Sequence, residues 1–122
     1  MKTSDRKIFT LKKFDNKVIV SLMHSDRLNV LNSEQVESEL LQLLHNEEKT
    51  ILFDISNVKF IDSSGFHALI SVHIDAKLKD VTFIIINSNK EIQDLFKLVD
   101  LDNIFDIRTK NDFVQDDLKK AS

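Results

Sequence analysis

Two hydroxyls and a carboxylate stand together at Asp62-Ser63-Ser64, followed by Gly65, the only glycine in 122 residues. A glycine used once marks a place where the backbone needs positive φ or close approach by another backbone. A Ser or Asp just ahead of a helical pattern is an N-cap, at the positive end of the helix dipole, where oxyanions are favoured. A phosphoryl group attached there would be well placed. Nucleophilic catalysis would need more: a base within reach of the serine and a third group to orient that base. Ser63, His67 and Asp75 could supply those types, but they fall in one row of a single helix, and such rows are ordinarily solvated surface. Asp62 has no partner carboxylate or histidine spaced for general acid/base work. His24, His45, His67 and His73 show no i, i+4 ligand pair, and the chain has no cysteine, so neither a metal nor a cofactor is expected. His67 reads as an exposed residue at the site and His73 as a partly buried one. Taken alone, Ser63 and Ser64 are most simply a helix cap, and none of these residue patterns makes an enzyme.

The whole chain sets bounds on that site. With 122 residues and 14.1 kDa it is read as one domain, residues 1–122, large enough to bury a core without disulfides or metals. Lys+Arg 17 against Asp+Glu 20 gives a net charge of -3, which supplies no global attraction to nucleic acid or anionic lipid, and the lysine pairs are too scattered for a nucleic-acid patch. No apolar run approaches the roughly 20 residues that span a bilayer, and Met1 to Arg6 leads into no signal-type segment, so the chain reads as cytoplasmic. With no proline and a single glycine there is no flexible linker of either usual kind.

The elements that must position the site follow from periodicity. Lys7 to Phe14 and the β-branched run Lys17 to Met23 predict a hairpin turning at Asp15-Asn16. Val36, Leu40, Leu43 and Leu44 share one face of a helix capped by Asn32 or Ser33, with Gln35 completing an approximate capping box, and running to about His45. Thr50 to Ile55 is apolar on both faces, as in a strand covered by helices on both sides. Val58 to Ile61 returns the chain to the core. Ser64 to Lys79 is then predicted to be a helix that buries Phe66, Leu69, Ile70, Ile74 and Leu78, while His67, Ser71, Asp75 and Lys79 form a polar row with Ser63 one step before it. Val81 to Ile86 is the most apolar strand and should lie centrally beside Thr50 to Ile55. Ser88 to Glu91 has the form of a capping box for a helix bearing Ile92, Leu95, Phe96 and Val99. Ile104 to Ile107 predicts a last strand, and Asn111 or Asp112 opens a terminal helix with Phe113, Val114, Leu118 and Ala121 on its apolar side. The order ββαβαβαβα implies right-handed crossovers and an α/β fold with a mostly parallel central sheet, an N-terminal antiparallel edge strand and flanking helices.

Phe60-Ile61-Asp62-Ser63-Ser64-Gly65-Phe66 after a strand, then a long helix, an apolar strand and Ile92-x-x-Leu95-Phe96, resembles the STAS domain of bacterial anti-sigma factor antagonists. The likeness runs from about Phe9 to Ile107 and is most specific at Asp-Ser-Ser-Gly. It implies a (βα)-type superhelical domain that works as a phosphorylation-switched binding module, a monomer when free, and not as an enzyme. Its implied partners are an anti-sigma factor with serine kinase activity, which phosphorylates the serine after the motif aspartate, and a serine phosphatase that reverses this. Neither nucleic acid nor membrane insertion is implied. By position the acceptor is Ser63, and the partner-binding set is Asp62, Ser63, Ser64, Gly65, His67, Ser71, Asp26 and Asn29. Some positions depart from the family pattern. Asp26-Arg27-Leu28-Asn29 replaces a Gly-Glu-Leu-Asp-like stretch, so that an amide stands for a carboxylate. Phe66-His67 stands where Leu and a small residue are common, and a glycine often found after the third helix is replaced near Asp100. The alternative function is a solo STAS adaptor subunit of another assembly, such as a transporter ATPase or a stress-signalling scaffold.

Overall fold

The computed structural model describes residues 7–46 and 48–108. The predicted hairpin forms as β1 (Phe9–Phe14) and β2 (Lys17–Leu22), antiparallel, with Phe14 opposite Lys17 across the turn. Asp15 takes φ 52 there, a left-handed conformation that Asp tolerates better than most residues. The main sheet continues through β4 (Thr50–Asp54), β6 (Thr82–Ile86) and β7 (Asp106–Arg108), in the order β1-β2-β4-β6-β7. Every pair but the first is parallel, so β4 and β6 are adjacent interior strands and the antiparallel strand lies at an edge, as expected. The last strand is shifted toward the C-terminus: Ile104 is exposed and Phe105 takes the buried place ahead of β7.

Helices α1 (Ser33–Leu43), α2 (Ser63–Leu78) and α3 (Lys90–Leu98) fill the crossovers. Their buried side chains join one core with Val18, Val20, Ile51, Phe53 and Ile85, which share a sheet face because strand side chains alternate. Leu52, Ile84 and Ile86 form a smaller buried cluster on the opposite face with Phe14 and Ile19. The terminal helix expected from Asn111 or Asp112 onward lies outside the described residues.

Two strands escape periodicity altogether. β3 (Arg27–Leu28) and β5 (Phe60–Ile61), two residues each, pair in parallel as a separate small sheet. Their signal is too short for an alternation to show. Flanking bonds extend the pairing, Lys59 N to Asp26 O at 2.7 Å and Asp62 N to Leu28 O at 3.1 Å.

The helix faces and caps differ in part from expectation. In α2 the buried set is Gly65, Phe66, Ala68, Leu69, Val72 and Ala76, whereas Ile74 is 53% and Leu78 79% exposed. Ile70 is partly buried and packs against the core as expected, so the departure is confined to Ile74 and Leu78, which face outward while Ala68, Val72 and Ala76 are buried in their place. Asn32 occupies the cap position of α1, but its side chain turns back to the preceding loop, with Nδ2 donating to Arg27 O (2.8 Å) and Oδ1 accepting from Asn29 N (3.0 Å). Gln35 reaches Glu39 along the helix, and α1 ends at Leu43. For α3 the cap is Asn89, whose Oδ1 accepts from Ile92 N at 2.9 Å while its Nδ2 bonds Val58 O. Ser88 is buried instead, and Val99 is half turned to water as the C-cap. Just beyond the C-caps of α2 and α3, Asp80 (φ 59) and Asp100 (φ 60) are left-handed.

Candidate functional site

Asp62 builds the site. Its backbone is extended (φ -99, ψ -175), it precedes α2, and its two carboxylate oxygens serve two segments. Oδ1 accepts from Gly65 N at 3.0 Å, capping the helix, and Oδ2 accepts from Val30 N at 3.2 Å, holding the loop between β3 and α1. The cap is thus Asp62 and neither serine, and the helix begins one residue earlier than the apolar pattern indicates. Ser63 becomes the first residue of α2 and is exposed, whereas Ser64 is half-buried.

Gly65 resolves the choice between positive φ and close approach in favour of the second. Its φ is not positive; a Cβ there would overlap the Leu28 carbonyl oxygen and lie 2.9 Å from both Ile61 Cγ2 and Leu28 Cγ. The glycine therefore lets β3 press against the first turn of α2. Asp26 to Asn29 consequently runs alongside Phe60 to Asp62, and the two segments named from sequence are neighbours. Asp26 is exposed and forms a loose ion pair with Arg27 (3.8 Å). Asn29 is half-buried and shapes the entry to α1: its Oδ1 accepts from Leu31 N at 3.0 Å and its carbonyl oxygen accepts from Ser33 N at 2.8 Å.

Ser63, Ser64 and His67 line a shallow open depression together with Val30, Ser33, Glu34 and Glu37. Those last four residues come from α1 and the loop before it, and none was assigned to the site from the sequence, Ser33 having been read only as a helix cap. A usable signal was present, because helix N-termini gather at one end of a parallel sheet and so place the first turns of α1 and α2 side by side. His67 also opens onto a second shallow groove with Leu41, Ile70, Ser71, Ile74 and Asp75. The polar row is therefore continuous from Ser63, but it is interleaved with Ile70 and Ile74 rather than purely polar. At its end the Asp75 carboxylate bonds Lys79 Nζ at 2.6 Å, an i, i+4 pair, so Asp75 is engaged away from His67. Farther along α2, His73 is half-buried with its ring edge-on to Phe105, centroids 5.3 Å apart. Burial and, secondarily, the charge of Lys77 hold it below the ordinary histidine value.

Residues 10–115 match the family model of the STAS domain. The chain belongs to the STAS domain family. Solved STAS proteins share its fold. A candidate anti-sigma factor antagonist from Thermotoga maritima superposes with a TM-score of 0.76 at 21% identity, covering 91% of this chain and 94% of that one. An anti-sigma factor antagonist from Mycobacterium paratuberculosis gives 0.74 at 18%, covering 88% and 90%. The anti-sigma factor antagonist SpoIIAA in its unphosphorylated form gives 0.68 at 18%, covering 87% and 92%, and the phosphorylated form from Bacillus gives 0.62 at 17%, covering 88% and 96%. The α/β architecture with a mixed sheet is thus that of the STAS family. No described helix is long and apolar enough to cross a membrane, and the described residues contain no cluster of three or more metal-ligating side chains.

Proposed function

We propose that this STAS protein is an anti-sigma factor antagonist whose binding is switched by phosphorylation of Ser63. With the hydroxyl free, it sequesters an anti-sigma factor that is also a serine kinase. Once phosphorylated it lets go, and a serine phosphatase resets it. The observation that carries this reading is the placement of Ser63: exposed, first in α2, and fixed on one side by the Asp62 cap and on the other by the close contact of Gly65 with β3. SpoIIAA, which has this fold, is known in both phosphorylated and unphosphorylated forms. Ser63 serves here as an acceptor for chemistry done by the partner, and the STAS protein itself is a binding module rather than an enzyme. The partner surface takes in Asp62, Ser63, Ser64, His67 and Ser71, with Asp26 and Asn29 at its rim, whereas Gly65, expected among the contact residues, is buried against β3 and shapes the surface from beneath.

The switch works through charge, with the fold unchanged. Phosphorylation adds about 1.5 to 2 negative charges beside Asp62, and a partner that docks on a neutral hydroxyl must then meet and desolvate a dianion. A loss of about 2 to 3 kcal/mol, typical of an unpaired interfacial charge, lowers affinity by roughly 30- to 150-fold.

Mass spectrometry of the protein from its native cells, under activating and resting conditions, tests the assignment. One phosphate is expected on Ser63, absent in Ser63→Ala and retained in Ser64→Ala. Ser63→Ala should stay folded and bind constitutively, and Ser63→Asp should bind more weakly than wild type but less weakly than the phosphoprotein, having one charge and fewer acceptor oxygens. Phosphate only at other residues, or unchanged partner affinity in Ser63→Asp, would leave an unswitched adaptor.

A further inference from the structure

A phosphoryl group on Ser63 would enter acidic surroundings. Glu34 and Glu37 of α1 line the same depression, and the Asp62 carboxylate adjoins it. Neither Glu34 nor Glu37 has an ion-pair partner among the described residues. The helix N-terminus offers less relief than its dipole suggests, because the Gly65 amide is already taken by Asp62 Oδ1 and the Phe66 amide by Asp62 O. Of the side chains lining the depression, His67 alone can carry a positive charge. It stands one turn after Ser63 on α2, exposed, at the spacing where side chains meet with Cβ atoms about 5 to 6 Å apart, and an anion N-terminal to a cation is the favoured order of an i, i+4 pair.

We infer that His67 is the resident cation for phosphorylated Ser63, so that the phosphate is held down on α2 when the imidazole is protonated and is released toward solvent when it is neutral. This rests on Ser63 as the modified residue. The groups facing the pair are Glu34 and Glu37 from α1 and Asp62 ahead of α2. All three are carboxylates, so loss of the histidine proton leaves the dianion with no cationic side chain in the depression and only the α2 N-terminus to favour it. The unphosphorylated surface contains no such anion, and its partner affinity should depend little on His67 protonation.

Phosphoserine placed at position 63 by genetic encoding, with no kinase needed, makes the test independent of whether the cell modifies Ser63. The ³¹P resonance is followed against pH in the otherwise wild-type chain, in His67→Gln and in His67→Lys. A neighbouring cation favours the dianion, so the second ionisation of the phosphate, ordinarily near about 6, should fall lower in wild type than in His67→Gln by about 0.3 pH unit. His67→Lys should restore or exceed the wild-type position. Equal midpoints in wild type and His67→Gln, or no restoration by lysine, would overturn the pairing while leaving Ser63 as the acceptor. Phosphorylation mapped elsewhere in native cells, with the pairing seen in the encoded protein, would overturn the acceptor assignment alone.

Discussion

At the scale of single residues, the Asp62 carboxylate ties the first turn of α2 to the loop before α1. Asp62, Ser63 and Gly65 stand out because a lone glycine beside paired serines is rare. Which of them caps the helix depends on where the carboxylate points, and the structure gives that role to Asp62, with a second bond to Val30 32 positions away that no local pattern contains. Asp100, near which a family glycine is replaced, is left-handed, at φ 60. The partial burial expected of His73 is observed, and it has a thermodynamic consequence. Burial first and Lys77 second keep the folded-state imidazole less basic than the unfolded one, so the unfolded chain binds the proton more readily. The contribution of His73 is therefore complete above 6.5, its ordinary value, and is lost as pH falls through 6.5 toward the lower folded-state value. Urea midpoints measured on both sides of that pH should fall on the acid side in wild type and fall less in His73→Gln. An equal decline in both proteins would assign the acid sensitivity to other groups.

Among the elements, strands with long apolar runs and helices with strong periodicity were readable from sequence, whereas two-residue strands and the rotation of α2 were not. The apolar residues of this helix spread well beyond one stripe, so its sequence permits several faces to be buried, and the buried one includes Gly65, Ala68 and Ala76, with Gly65 in close contact with β3. The same reasoning separates two leucines of one helix. Leu69 is fully buried and Leu78 is 79% exposed. Leu69→Ala should cost about 2 to 5 kcal/mol, whereas Leu78→Lys should change stability by less than about 0.5 kcal/mol. Denaturant unfolding of the two variants decides the matter, and a large loss in Leu78→Lys would mean that the outward stripe of α2 is covered.

For the molecule as a whole, strand order came out as the alternation of elements required, with the antiparallel pair at one edge and β4 beside β6, because right-handed crossovers leave few other arrangements. The same topology gathers the first turns of α1 and α2 at one end of the sheet, where Ser63 lies, and sends the last turns toward the other. There the left-handed Asp80 and Asp100 follow the C-caps of α2 and α3. Each carries an L-residue penalty that glycine would not, and each sets a negative charge against the negative end of a helix dipole. These two positions are an untapped reserve of thermostability. Asp80→Gly and Asp100→Gly should each add about 0.5 kcal/mol after the greater unfolded-state freedom of glycine is counted, and the gains should sum in the double variant, because among the described residues no ion pair joins the two side chains. A calorimetric scan with no rise in midpoint would show that the aspartates hold compensating contacts. A rise would give a sturdier scaffold with the serine face untouched, suited to the long titrations that the phosphoprotein requires.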